Sequence, residues 1–342
     1  MKAWVVKQHG GPKAVQLEEL ELKRAHNRQV KVKVEAVGLN HLDLWVRNGV
    51  EGHAFPLPMI LGCDVSGEIA EETGLDGFPK GTKVVINPIL KGEDLVDSVT
   101  GKKHPFGLIG ETRDGGLAEW IAVSPENLVN RSGLDAQTAA ALPIAYITAY
   151  QMITRKAQLK KNEWILIQAG GSGVGVACIQ FAKSIGARII TTVGSEEKVK
   201  KAKALGVDYC IQYTTQDFRS EFQQIKKKEG IRGVNVAIDH VGKSTLESSL
   251  RALDWGGRLV TCGATSGSQV TLDLKPIFFK SLSILGSTMG EFDDLNEIVS
   301  LVKQKKLTPV IDSTYDFKDV PQALNRLEGR DVFGKIVIQV AT

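Results

Sequence analysis

The sequence predicts an α/β fold: a doubly wound parallel sheet inserted between the two halves of a mostly β domain. Three observations predict it. Residues 164–186 pass from an apolar strand through a glycine-dense turn into a helix. From about residue 135 strand-like and helical stretches alternate, which is the pattern of parallel strands joined by crossover helices. Residues 1–125 are instead strand-like and glycine-punctuated, and the chain beyond 290 returns to a mixed pattern that ends in a strand. The domain bounds read from these changes of texture are 1–145 with 291–342 for the outer domain and 146–290 for the inserted one.

The elements follow in order. Met1 to Val6 reads as a strand and has no signal-peptide pattern. Gln29 to Val37 alternates, Val30, Val32 and Val34 against Lys31, Lys33 and Glu35, as a half-buried strand does. Val84 to Ile86 and Ala118 to Val123 are further strands. Residues 89–115 are polar and irregular, a long surface lobe. Asp135 to Leu142 is alanine-rich, and Ile144 to Ile153 continues helically. Then come strand 164–168, helix 174–185, strand 187–193, helix 196–205, strand 209–212, helix 215–228, strand 234–239, helix 243–253, and strands 257–263 and 282–286. The last strand runs from Lys335 to Val340.

The turn Gly170-Gly171-Ser172-Gly173-Val174-Gly175 is the chemically specific part. Between a strand and a helix, such a turn is where a dinucleotide pyrophosphate is held. Backbone without Cβ lets a phosphate approach, and the helix N-terminus offers N–H donors and partial positive charge. The next strand ends in Val193-Gly194-Ser195-Glu196-Glu197-Lys198. An NAD site usually carries an acid at that strand end, for the ribose 2′-OH. Here the position is glycine, and Ser195 and Lys198 suit a 2′-phosphate instead. NADP is therefore the expected cofactor, with a solvated Lys198 balanced by Glu196 and Glu197 as the alternative.

Composition narrows the rest. The chain has 342 residues, 42% apolar and 24% charged, enough for two cored domains. A net charge of +4 without long Lys/Arg runs gives no support to nucleic-acid binding. No apolar run approaches the ~20 residues of a membrane span. The cytoplasm is the expected compartment and a small molecule the expected partner. The four cysteines, Cys63, Cys178, Cys210 and Cys262, are far apart and flanked by apolar residues. They read as reduced, buried thiols and offer no zinc spacing.

Further segments carry a family resemblance. Gly38-Leu39-Asn40-His41-Leu42-Asp43 with Gly49, Leu61-Gly62-Cys63-Asp64-Val65-Ser66-Gly67, Gly115-Gly116-Leu117-Ala118-Glu119-Trp120 and Thr148-Ala149-Tyr150 stand around the glycine turn. In this combination the chain resembles the medium-chain dehydrogenase/reductase superfamily over essentially its whole length. The resemblance implies a GroES-like catalytic domain around a Rossmann cofactor domain. Where zinc alcohol dehydrogenases of that superfamily hold catalytic zinc, this chain has Asn40, Cys63 and Ile144, with Asp64 for the accessory glutamate and Leu42 for the proton-relay hydroxyl. The lobe of the structural zinc corresponds to residues 89–110, which lack cysteine. No metal is expected, since zinc needs three good ligands. A weak site from Cys63, Asp64 and His41 is the alternative.

The nearest functional resemblance is to the zinc-independent quinone oxidoreductase branch, whose Asn-x-x-Asp pattern Asn40 and Asp43 match. That branch holds the 2′-phosphate through positions matched here by Gly194, Lys198, Tyr213 and Arg330. The implied activity is hydride transfer from NADPH to a quinone, enone or similar activated acceptor. Asn40 is the expected donor to the acceptor's oxygen, His41 a pyrophosphate contact or proton relay, and Asp43 a loop clasp or acid. Topology adds Thr148 near the pyrophosphate, with His240, Gly263 and Ser287 at strand ends around the nicotinamide. Residues 282–285 resemble the edge strand through which family members dimerise, so a homodimer or homotetramer is expected. Two other readings stay open: an alcohol dehydrogenase with an atypical metal site, and a protein that binds NADPH without turnover.

Overall fold

The computed structural model describes residues 1–96, 101 and 103–340. Two compact units divide the chain. The first comprises 1–144, 292–305 and 309–342, and the second 145–291 with 306–308. Residues 306–308, expected in the first unit, belong to the second because Thr308 exchanges two hydrogen bonds with the Gln180 amide, at 2.7 and 2.8 Å.

The N-terminal part of the first unit is mostly strand. In order it contains β1 (Lys2–Val6), β2 (Val15–Glu19), β3 (Val30–Gly38), helix α1 (His41–Asn48), β4 (Met59–Ile60), β5 (Asp64–Ile69), β6 (Lys83–Ile86), β7 (Trp120–Val123), β8 (Leu128–Asn130) and helix α2 (Ala136–Ala140). Alternation drives β3: Val30, Val32 and Val34 are buried and Lys31, Lys33 and Glu35 face out. A bulge opposite β5 then breaks the alternation, so Ala36, Val37 and Gly38 are all buried. At Gly38 a Cβ would lie 2.2 Å from the Ala140 carbonyl oxygen, and glycine is what lets α2 lie against β3.

Residues 89–115 depart from the expected surface lobe. Among the described residues Ile89, Leu90, Leu108 and Ile109 are buried. Asp94 is buried too, accepting from Gln29 Nε2 (3.0 Å) and Ser124 Oγ (2.5 Å). Burial of these four apolar side chains is favourable and anchors both ends of the segment. Residues 97–100 and 102 of that lobe lie outside the described residues.

Helix α3 (Pro143–Tyr150) spans the 144/145 boundary and continues as a π-helical turn, Gln151–Lys156, so the helical stretch expected over 144–153 is present and runs three residues further. The second unit then alternates strictly: β9 (Trp164–Ile167), α4 (Gly173–Ile185), β10 (Arg188–Val193), α5 (Glu196–Ala204), β11 (Tyr209–Gln212), α6 (Phe218–Glu229), β12 (Val234–Ile238), α7 (Leu246–Ala252), β13 (Leu253–Thr261), α8 (Leu274–Phe279) and β14 (Ser283–Gly286). The six strands are all parallel, in the order β11-β10-β9-β12-β13-β14. Strand order reverses between β9 and β12, the switch point where open α/β sheets bind ligands.

Two helices start later than expected, the first because a capping residue precedes it. Asp217 accepts the Ser220 N–H at 2.9 Å and holds the chain extended until Phe218. The expected helix 243–253 spans only 246–252, since Leu253 is fully buried and already pairs with Val234 as the first residue of β13.

The chain then returns to the first unit with α9 (Asp294–Lys303), β15 (Ile311–Asp316), α10 (Val320–Glu328) and β16 (Lys335–Gln339). These complete a seven-stranded sheet ordered β15-β16-β3-β5-β6-β8, with β7 also on β3. The C-terminal strand thus lies beside β3, in the middle of a sheet begun at residue 30. No helix among the described residues is long and apolar enough to cross a membrane.

Candidate active site

In the second unit the polar groups gather at the switch point. Ser172 stands where the middle glycine of the dinucleotide turn is expected, and its hydroxyl has a use. It accepts the Gly175 N–H at 2.9 Å, capping α4, and lies 2.9 Å from His240 Nε2 at the end of β12. Turn and facing strand end are therefore tied across the crevice. At Gly175 a Cβ would fall 2.3 Å from the Ala169 carbonyl oxygen, so the turn closes only on glycine.

Beneath the turn runs a buried chain of hydrogen bonds that the sequence did not reveal. Asp239 Oδ2 accepts from Ser249 Oγ (2.7 Å), which accepts from Gln168 Nε2 (3.0 Å). Gln168 Oε1 accepts from Thr192 Oγ1 (2.7 Å), which accepts the Ala169 N–H (3.1 Å). The ends of β9, β10 and β12 and helix α7 are locked by this chain. Its members are buried, where unmet polar groups cost most. Asp239 Oδ1 also accepts the Val241 and Gly242 N–H groups, each at 3.0 Å.

At the end of β10, Gly194 meets Tyr213: a Cβ there would lie 2.7 Å from the tyrosine hydroxyl. Ser195 caps α5, accepting the Lys198 N–H at 3.3 Å, so both sit at the mouth of the same strand. The acids of that turn, Glu196 and Glu197, pair with Lys200 (3.1 Å) and Lys201 (2.7 Å). Thr148 is buried in α3 with its hydroxyl 3.6 Å from Met289 Sδ. The Gly263 carbonyl accepts from Thr261 Oγ1 at 3.2 Å. Ser287 Oγ is buried and has no hydrogen-bond partner among the described residues. An orphaned hydroxyl, a Cβ-free cradle under Tyr213 and a glycine turn capping a helix together fit a nicotinamide dinucleotide.

The first unit holds the other candidates. Asn40 precedes α1, His41 is its first residue and Asp43 its third. Asp43 is fully buried and acts as a clasp: Oδ2 accepts the Asn40 N–H (2.7 Å) and Oδ1 the Gly62 N–H (2.9 Å). Burial raises its pKa from 3.8 to about 6, with Asp64 adding to the rise, against its two N–H bonds and Lys335. The His41 pKa is lowered, chiefly by burial and then by Arg330, and its ring packs edge-on to Trp45. Arg330 follows α10 in the first unit, beside His41, whereas Gly194, Lys198 and Tyr213 are in the second.

Lys335, which the sequence did not single out, proves central. It is 3% exposed, and its ammonium donates to Leu39 O (2.7 Å), Asn40 Oδ1 (2.5 Å) and Asp64 Oδ2 (2.9 Å). Asp64 Oδ1 accepts the Ile144 N–H at 2.8 Å. The signal was there, a lysine opening a strand whose next three residues are all buried, but its partners lie nearly 300 positions away.

These residues do not fit zinc. Both Asp64 oxygens are engaged, the Asn40 oxygen holds a cation, and Ile144 contributes only a backbone donor. Burial, then Asp43, Asp64 and Glu111, push the Cys63 thiol well above its usual pKa, against the thiolate form that zinc requires. Among the described residues no three His, Cys, Asp or Glu side chains are grouped to hold a metal.

Comparison with known proteins accords with both halves of this geometry. The profile of alcohol dehydrogenase GroES-like domains matches residues 26–133, and that of zinc-binding dehydrogenases residues 173–304. The acryloyl-coenzyme A reductase of Sulfurisphaera tokodaii is 31% identical, the alignment covering 99% of this chain and 100% of that protein. The quinone oxidoreductase of Homo sapiens is 28% identical, over 99% of this chain and 97% of that one. A crystal structure of an NAD-dependent alcohol dehydrogenase superposes with a TM-score of 0.91 at 37% identity, covering all of both chains.

Proposed function

Because the chain belongs to the medium-chain dehydrogenase/reductase superfamily and is a nicotinamide-dependent oxidoreductase, we propose that it reduces a quinone, enone or similarly activated acceptor with NADPH and without zinc. One observation carries the reading: the Lys335 ammonium is hydrogen-bonded to Asn40, which stands for one of the family's zinc ligands, and to Asp64, which stands for its accessory glutamate. A divalent ion placed there would meet a buried positive charge. Without a metal Lewis acid, simple aldehydes and alcohols lose several kcal/mol of transition-state stabilisation, whereas activated acceptors need less help.

The bound nicotinamide would supply a hydride, and the acceptor's oxygen would gain the electron pair released from its double bond. Asn40 Nδ2 donates to that oxygen, and the raised negative charge there makes the hydrogen bond stronger in the transition state than before it. Burial lowers the His41 pKa and so favours its neutral imidazole, which can pass a proton between solvent and that oxygen. Asp43 holds the loop by its two N–H bonds and takes no part in proton transfer. Ser172, His240 and the first turn of α4 would hold the pyrophosphate, and Ser287 Oγ would find a partner at the nicotinamide end. The preference for NADPH rests on Gly194 and Ser195 at the end of β10, with the Tyr213 hydroxyl beside Gly194 and with Glu196 and Glu197 paired to Lys200 and Lys201. Lys198 would add positive charge to the 2′-phosphate in this reading.

The test is NADPH and NADH oxidation against quinones, enones, aldehydes and ketones, with a chelator present. Turnover is expected with quinones or enones and at least tenfold better with NADPH. Reduction of plain aldehydes that the chelator abolishes would overturn the zinc-free reading.

A further inference from the structure

The Lys335 ammonium has three hydrogens and three oxygen partners: a backbone carbonyl, a carboxylate and the Asn40 side chain. Burying such a pair is costly, and an apolar pair of the same size would stabilise the sheet as well or better. Stability therefore does not explain it. Its effect on Asn40 does. An amide can present either its oxygen or its NH₂ to a neighbour, and an ammonium, which only donates, accepts only the oxygen. With Oδ1 held 2.5 Å from a cation, the NH₂ is the end left for a ligand. One of its hydrogens makes a 3.3 Å bond to Gly38 O, and the other has no partner among the described residues. Asn40 is 92% buried, its exposure being 8%, so this donor is screened little by water.

We propose that Lys335 is a positioning residue that fixes the Asn40 amide as a donor and polarises it toward an oxygen that becomes anionic on the acceptor. The inference rests on the proposed reduction. Asp64 holds the ammonium in place from one side, and Asn40 relays its charge on the other. The lysine thus performs part of a metal's electrostatic task while remaining covalently part of the chain. It also dictates what Asn40 recognises: hydrogen-bond acceptors, and not hydroxyl donors.

The experiment compares wild type with K335R and with the charge-free pair K335M/D64N, measuring kcat, KM and NADPH binding by fluorescence titration. Asp64 is changed with Lys335 so that no buried carboxylate is left alone. K335M/D64N is expected to bind NADPH with unchanged affinity while kcat falls about thirtyfold, about 2 kcal/mol in the barrier. The loss should be larger for weakly electrophilic enones than for quinones, a trend that a merely structural role would not produce. K335R should keep kcat within threefold, since a guanidinium also donates only. Full kcat in a folded K335M/D64N would overturn the proposal. Should that variant not fold, K335R decides alone: a thirtyfold kcat loss with intact NADPH binding would overturn it too. If wild type itself reduces no quinone or enone, the proposed function fails, and that outcome is separate from any difference among variants.

Discussion

At the scale of single residues, the clasp made by Asp43 has a measurable electrostatic signature. Its pKa is raised from 3.8 to about 6, so the folded state holds a proton that the unfolded state releases at lower pH. The sign follows from linkage: this contribution to stability is fully present below pH 4 and is lost as pH rises through 6. A shift of this size corresponds to about 3 kcal/mol. D43N cannot ionise and should therefore gain about that much relative to wild type between pH 4 and pH 7. Denaturant unfolding of both proteins at several pH values checks it, and a gap that stays constant with pH would refute the assignment. The same burial that penalises the Asp43 carboxylate also holds Asn40 and Gly62 together, so the loop's order is maintained against a charge cost.

Among the elements, the strand ends of the second unit depend on one another through Ser249. S249A deprives Asp239 Oδ2 and Gln168 Nε2 of a shared partner in a buried place. A cost of about 1–3 kcal/mol is expected. Because the chain also reaches Ala169 N–H, below the glycine turn, NADPH affinity should fall with it. Thermal melting and NADPH titration measure the two effects, and an unchanged affinity would confine the network to stability. The contrast with what could be read beforehand is instructive. The glycine turn, β9, β10 and β11 were legible because their signals are local: apolar runs, a gap of glycines, a cap. Ser172 was seen as a small residue, but its bond to His240 was not, since 68 positions separate them. The network under the turn and the Lys335 cluster escaped for the same reason. Their members are ordinary polar residues whose meaning comes from burial and from partners distant in sequence. The ends of the 89–115 segment were misread because polar composition hid four apolar residues that anchor it.

At the scale of the whole molecule, β14 leaves the six-stranded sheet with an open edge. Ile284 on it is 41% exposed, and Trp255, Leu274, Phe278 and Phe279 are each more than 60% exposed. Apolar side chains beside an unpaired strand edge are a liability in a monomer. A second copy pairing edge to edge is the proposed occupant. Light scattering after size exclusion should give a dimer or a multiple of one, and I284K/F278E should lower the assembly state; a monomeric wild type would exclude the pairing. The order of strands in the first unit has a consequence for biosynthesis. Asp64 leaves the ribosome 271 residues ahead of Lys335. At about 5–20 residues per second, that interval is roughly 15–50 s. Throughout it the nascent β3 and β5 carry an acid without its counter-charge and an open seam where β16 will insert. The second unit, contiguous but for residues 306–308, is synthesised before Lys335 is. Nascent chains halted just short of residue 335 would therefore carry a first unit whose sheet lacks β16 and whose Asp64 lacks its counter-charge.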